Sequence, residues 1–347
     1  MITNEKVKVL IVDDSATMQN ILKKIIQNDS RLEVIGIANN GEEALKMISK
    51  KRPDVITMDL FMPILDGFST TKKIMSSNPI PIIIISGGYK KEDVQLSFKA
   101  MEAGAITIME KPPGLTDPNF QYISRRITST IFCSAEIKLV TRRFPKPLQQ
   151  SESKIHTRNR SDIKAIAIGA SLGGPQAVRR LLSELNPSSP VPIFVVQHIS
   201  PGFTQGYAEW LNHSTPLRVV IPSHGEKPMG GTVYIAPDNK HMTIDKFGNI
   251  SLSDTATLFR CKPSVSVLFA SVADFYGKQS IGVLLTGMGD DGSKELLTLK
   301  EKGSITIAQN KATSLAFGMP GTAIQLGGAK HVLSIEEIAP FINQIIN

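Results

Sequence analysis

The chain has 347 residues, 41% of them hydrophobic, and a formal net charge of +8, so it is longer than one typical domain and apolar enough to fill two cores. Nine Lys/Arg against four Asp/Glu between Pro112 and Asp162 account for five of those net charges; without an aromatic-interleaved basic stripe, zinc-ligand spacing or recognition-helix pattern, this reads as a solvated linker and argues against direct nucleic-acid binding. The two cysteines, Cys133 and Cys261, are too few and too far apart for a disulfide framework, and no apolar run approaches about 18 residues, so a cytoplasmic protein without membrane insertion is expected.

From Val7, short apolar runs alternate with amphipathic stretches. Strands are expected at Val7–Val12, Leu32–Ala38, Val55–Met58, Ile80–Ile85 and Ala105–Met109. One-sided helices are expected at Ala16–Gln27, Gly41–Lys50, Thr70–Ser76, Glu92–Ala103 and Asn119 to about Val140. Five such units make a flavodoxin-like, doubly wound parallel sheet. An exposed linker without periodicity follows, giving an N-terminal domain over 1–141, a basic linker over 142–161 and a second domain over 162–347. That second domain reads as α/β with a mostly parallel sheet. Its strands are expected at Lys164–Gly169, Val191–Gln197, Leu217–Ile221, Thr232–Ala236, Ser280–Thr286 and Ser304–Ala308, and its helices at Pro175–Leu185, Phe203–Asn212, Ser264–Tyr276 and Gly292–Lys302. Met242–Ile244 and Ile250–Leu252, flanking Lys246-Phe-Gly-Asn, read as an inserted hairpin.

In the first domain Asp13, Asp14, Asp59, Ser86 and Lys111 all fall at strand ends, which a parallel sheet gathers on one edge. Three carboxylates there offer hard oxygen ligands for Mg2+, and a free carboxylate can accept a phosphoryl group. Asp59 is the candidate acceptor, Asp13, Asp14 and Asp59 the metal ligands, and Ser86 and Lys111 the groups that meet the phosphoryl oxygens. Any one strand-end aspartate is more simply a helix N-cap; three aspartates, a serine and a lysine in register are harder to explain that way. With Met62-Pro63, Asp66-Gly67 and Lys111-Pro112, the set resembles the receiver domain of two-component response regulators over residues 5 to about 140. Ile108 stands where many receivers carry an aromatic residue.

In the second domain an apolar strand runs into Gly169-Ala-Ser-Leu-Gly-Gly174-Pro175, placing Ser171 on a glycine-flanked turn. Taken alone, Gly169-x-Ser-x-x-Gly174 also fits a dinucleotide-binding turn. No acidic residue follows at about twenty positions to hold a ribose, since Pro187-Ser-Ser-Pro-Val-Pro occupies that region. His198 ends another apolar strand, and Asp290 and Asp291 lie in Leu284-Leu-Thr-Gly-Met-Gly-Asp-Asp-Gly292, just past a third. Serine, histidine and aspartate could together supply an activated hydroxyl, although a satisfied strand-end histidine is the simpler account of His198 alone. No pair of histidines has zinc-ligand spacing.

Those motifs, with Gln197-His198, Ala236-Pro-Asp-Asn-Lys-His-Met242 and Pro263-Ser-Val265, resemble the catalytic domain of protein-glutamate methylesterases, and behind a receiver the chemotaxis (CheB) family. The resemblance implies demethylation of glutamate methyl esters on methylated chemoreceptor cytoplasmic domains, often with glutamine deamidation, and a chemotaxis histidine kinase as phosphodonor. It implies Ser171 as nucleophile, His198 as general base and acid, Asp291 as the orienting carboxylate and the Met288 N–H facing the oxyanion. It further implies Mg2+ for the receiver and no cofactor for the esterase. Leu172 stands where a small or hydroxyl side chain is frequent, which makes the pocket more apolar. Ser266 stands where aspartate is common, which removes a charge near the inferred substrate side, and together they put deamidation in question. A signalling adaptor that binds receptor tails without turnover is the alternative, and a transcriptional regulator is disfavoured because 162–347 shows no helix-turn-helix pattern.

Overall fold

In the computed structural model, residues 5–87, 91–135, 162–254 and 261–346 are described. The first part runs β1 (Val7–Val12), α1 (Ala16–Gln27), β2 (Leu32–Ala38), α2 (Gly41–Lys50), β3 (Val55–Met58), α3 (Gly67–Ser77), β4 (Ile82–Ser86), α4 (Lys91–Glu102), β5 (Thr107–Glu110) and α5 (Phe120–Ala135). Its five strands form one parallel sheet in the order β2-β1-β3-β4-β5. Helices cover both faces of such a sheet, so β3 and β4 are buried throughout and apolar apart from Thr57 and the terminal Ser86. Ser15, Asn40 and Asp66 cap α1, α2 and α3, each accepting a first-turn backbone N–H. The Asp66 cap starts α3 three residues before the apolar pattern does. Strand β4 begins at Ile82, not Ile80, because Pro81 has no N–H to give the ladder. The part of the expected fifth helix beyond Ala135, and the whole linker, lie outside the described residues.

The second part runs β6 (Ala165–Ala170), α6 (Gly174–Glu184), β7 (Ile193–Gln197), α7 (Thr204–Ser214), β8 (Arg218–Val220), β9 (Thr232–Ile235), β10 (His241–Ile244), β11 (Ile250–Ser253), α8 (Val265–Phe275), β12 (Ser280–Leu284), α9 (Ser293–Glu301), β13 (Ile305–Gln309), α10 (Gly318–Gln325), β14 (His331–Leu333) and α11 (Ile335–Ile346). Seven strands pair in parallel in the order β14-β13-β12-β6-β7-β9-β8, and β10 with β11 forms the expected antiparallel hairpin apart from them. Strand β6 is therefore flanked by β12 and β7. Nothing in the sequence reading anticipated α10, β14 or α11. Helix α11 buries Ile335, Ile338, Ala339 and Ile342 against α6 and carries Pro340 inside it.

The two parts pack directly on each other, α4 against α7. Phe98 stacks on Trp210 at 5.4 Å between ring centroids, and Trp210 Nε1 donates to Glu102 Oε1 at 2.8 Å. The helices come close because Gly206 has no side chain: a Cβ there would lie 2.1 Å from Val94 Cγ1. A second contact brings Ile106, just before β5, into a small apolar cluster with Leu172 and Ala316, with Cys133 of α5 packed beside it. Cys133 Sγ lies 3.9 Å from Met288 Sδ. Between these contacts, the Glu110 N–H donates to Ser200 Oγ at 3.3 Å.

Candidate active site

The first sheet brings its five chemically notable residues together at the carboxyl ends of β1, β3, β4 and β5. Asp13 and Asp59 are buried and Asp14 is exposed, and carboxylate oxygens of all three lie within 4.8 Å of one another. Lys111 Nζ sits 2.8 Å from Asp59 Oδ2 and 3.2 Å from Asp13 Oδ2. Burial raises both aspartates above their ordinary range, an effect that Lys111 opposes without cancelling. Burial also pulls Lys111 down, but its two carboxylate partners outweigh this and leave it raised. None of the three aspartates caps a helix: Asp13 Oδ1 accepts the Ser15 N–H, and Ser15 is the cap. Ser86 Oγ is fully buried and has no hydrogen-bond partner among the described residues, as a donor awaiting an anionic oxygen would be. An acidic triad, a lysine and an unpaired hydroxyl fit Mg2+ together with a phosphoryl group.

In the second sheet Ser171 follows β6, His198 follows β7 and Asp291 lies in the loop after β12, so neighbouring strands deliver all three to one edge. The Ser171 N–H donates to Thr286 O at 3.0 Å, and the His198 N–H to Ala170 O at 2.9 Å. Gln197 Nε2 donates to both Ser171 O and His198 O, joining the two turns. A Cβ on Gly287 would stand 3.0 Å from Ser171 Cβ, so that position must stay small. His198 Nε2 lies 2.9 Å from Asp291 Oδ2, with both side chains about seven-eighths buried. Nδ1 is then the ring nitrogen left to face a serine. No hydrogen bond joins Ser171 Oγ to the imidazole among the described residues, as is common before substrate tightens such sites.

Asp291 is held from behind. Ser264 Oγ donates to its Oδ1 at 2.8 Å, the Val265 N–H to Oδ2 at 2.7 Å and the Ser266 N–H to Oδ1 at 3.0 Å. Burial pushes this carboxyl up, but the His198 hydrogen bond and charge, with the Ser266 and Ser264 donors, hold it well below the carboxylate range. Asp290 is exposed.

One expectation changes. Ser266 is buried behind Asp291, away from any substrate side: its Oγ donates to Glu295 Oε2 at 2.5 Å and accepts the Gly292 N–H at 2.8 Å. Leu172, beside the serine turn, packs on Ile106 of the first part and on Ala316. Met288 is 37% exposed, and its N–H has no acceptor among the described residues. Gln197 was visible as part of a motif but not as a brace, and Ser264 gave only the signal of a serine before an apolar helix.

The CheB methylesterase family model matches residues 166–342, and the response regulator receiver domain model matches residues 9–117. The chain is 40% identical to a protein-glutamate methylesterase/protein-glutamine glutaminase of Geobacter metallireducens, over 98% of this chain and 99% of that one. It is 43% identical to one of Hahella chejuensis, over 97% and 98% respectively. The crystal structure of the Thermotoga maritima CheB methylesterase catalytic domain is 34% identical, with a TM-score of 0.51, covering 52% of this chain and 98% of that one. With a receiver sheet at one end and the serine, histidine and aspartate strands at the other, the chain belongs to the CheB methylesterase family.

Proposed function

We propose that this chain hydrolyses glutamate methyl esters on the cytoplasmic domains of chemoreceptors in chemotaxis adaptation, releasing methanol, under control of phosphorylation at Asp59. The observation that carries the reading is the His198–Asp291 pair at 2.9 Å, presented by strands on either side of the one that bears Ser171. A non-catalytic adaptor has no use for a buried imidazole–carboxylate pair of this kind.

Ser171 Oγ attacks the ester carbonyl while His198 takes its proton, and Asp291 fixes the imidazole and stabilises its charged form. Negative charge gathers on the carbonyl oxygen, which the free N–H of Met288 is suited to receive. Collapse of the tetrahedral intermediate breaks the C–O bond; His198 returns the proton to the departing methoxide, leaving methanol and an acyl-serine. Water, deprotonated by His198, then cleaves the acyl-serine and leaves the glutamate carboxylate. The same steps on glutamine release ammonia, consistent with the second activity in the names of the relatives.

In the receiver Asp59 takes the phosphoryl group from a histidine kinase, with Ser86 and Lys111 meeting its oxygens. Asp13, Asp14 and Asp59 would hold Mg2+, which offsets phosphoryl charge. The contacts of Ile106 with Leu172 and of Cys133 with Met288 put the receiver against residues flanking the serine turn, which supports an inhibitory role before phosphorylation. The test is methanol release from methylated receptor fragments by the full chain, with and without a small phosphodonor plus Mg2+. Release that rises with phosphodonor and vanishes in Ser171→Ala is expected; release that persists in Ser171→Ala would overturn the nucleophile.

A further inference from the structure

We propose that Ser264, with the first-turn amides of α8, is a positioning residue for the esterase, fixing the carboxylate of Asp291 toward His198. The proposal rests on the reading of Ser171, His198 and Asp291 given above. A carboxylate has room for about four good hydrogen bonds, and Asp291 makes four: Ser264 Oγ and Ser266 N on Oδ1, Val265 N and His198 Nε2 on Oδ2. Three of the four donors come from the start of one helix, where backbone N–H groups and the helix dipole favour negative charge. Ser264 is completely buried and does two things at once. Its hydroxyl donates to Asp291 and its oxygen caps α8 by accepting the Val267 N–H at 3.4 Å. Because Val265 also donates to Oδ2, the oxygen facing His198, rotation of the carboxyl would break bonds at both oxygens together.

The cradle also moderates the charge. Each donor withdraws some of the negative potential that Asp291 exerts on the imidazole, so removing one strengthens the pull on His198 in its protonated form. Loss of Ser264 Oγ therefore moves the acid limb of kcat/KM to higher pH, as well as lowering the plateau. Several other charged or titratable groups are near this pair. They are Asp290 beside it, Cys261 in the segment leading to α8 with Arg126 of α5 near it, His241 on β10 with Lys262 near it, and Glu295 on α9 behind Ser266. A change at Ser264 leaves all of them in place.

The experiment follows methanol release by the full chain, with phosphodonor and Mg2+, across pH for Ser264→Ala, Ser264→Gly, Ser264→Thr and Asp291→Asn. Glycine is nearly as good a helix cap as serine, so Ser264→Gly keeps α8 but loses the bond to Asp291. The expected result is a plateau about tenfold lower in Ser264→Ala and Ser264→Gly, an acid limb displaced upward in both, and recovery in Ser264→Thr. A loss in Ser264→Ala alone, with the limb unmoved, would make Ser264 a helix cap and nothing more. Undiminished activity in Ser264→Gly beside an inactive Asp291→Asn would overturn the positioning role and leave the triad standing. Full activity in Asp291→Asn would instead overturn the triad.

Discussion

Gly206→Ala tests the inhibitory contact by wedging it. A methyl group at Gly206 would stand 2.1 Å from Val94 Cγ1, where carbon atoms settle at about 3.5–4.0 Å, so α4 and α7 must part by roughly 1.5 Å. Overpacking of this kind costs about 1–3 kcal/mol, and only the docked arrangement bears it. Alanine improves α7 by up to about 1 kcal/mol in docked and undocked states alike, so that gain cancels. Taking about 2 kcal/mol, the undocked fraction of unphosphorylated protein rises about 30-fold, capped by the rate of the phosphorylated enzyme. Methanol release without phosphodonor should rise accordingly, while release with phosphodonor stays unchanged. Adding Val94→Ala removes the clashing atom and leaves the new methyl 3.3 Å from Phe98 and 3.4 Å from Val94 Cβ, so the double variant should fall back toward the parent rate. A basal rate within about twofold of the parent in Gly206→Ala, or a double variant as active as the single, would refute the reasoning.

The acidic cluster predicts a pH-dependent cost. Burial raises Asp13 and Asp59, so the stability these carboxyls lend is complete below the ordinary value near pH 4 and is lost as pH climbs through the raised values. In metal-free protein Asp13→Asn should therefore melt a few degrees above the parent at about pH 8 and show no advantage near pH 4, with a calorimeter as the check; a gap independent of pH would contradict the assignment. Ser266→Asp would set a second carboxylate against Glu295, whose Oε2 now accepts the serine hydroxyl. It should cost about 1–3 kcal/mol of stability, recovered by Glu295→Gln, as read from denaturant midpoints.

The strands were legible because parallel sheets bury both faces: runs such as Ile82–Ser86 and Ile193–Gln197 are buried from end to end and apolar up to their last residue, and the residue after each is thereby fixed at the carboxyl edge. That is why Asp59, Ser171 and His198 could be located from sequence. What holds them was less accessible. Ser264 and Asp291 are 27 positions apart, and nothing local shows that the start of α8 closes on the loop after β12. The position of Ser266 was misread for the same reason, since only packing reveals that it faces α9. Helix α10 was hidden by Gly318-Met-Pro-Gly, a composition that signals a turn, and α11 by Pro340, although its apolar spacing was there to be read. The domain contact at Ile106 and Leu172 joins residues with no sequence relation.

The indole stacked on Phe98 belongs to the only tryptophan in the chain. The residue is 8% exposed and its indole N–H is committed to Glu102 across the domain boundary. Ultraviolet excitation at wavelengths absorbed by indole alone thus addresses a single fluorophore, and that fluorophore sits in the seam that docking seals. Separation of the domains would wet the ring and shift its emission to the red, so the protein carries a built-in optical gauge of its resting state that needs neither dye nor substrate.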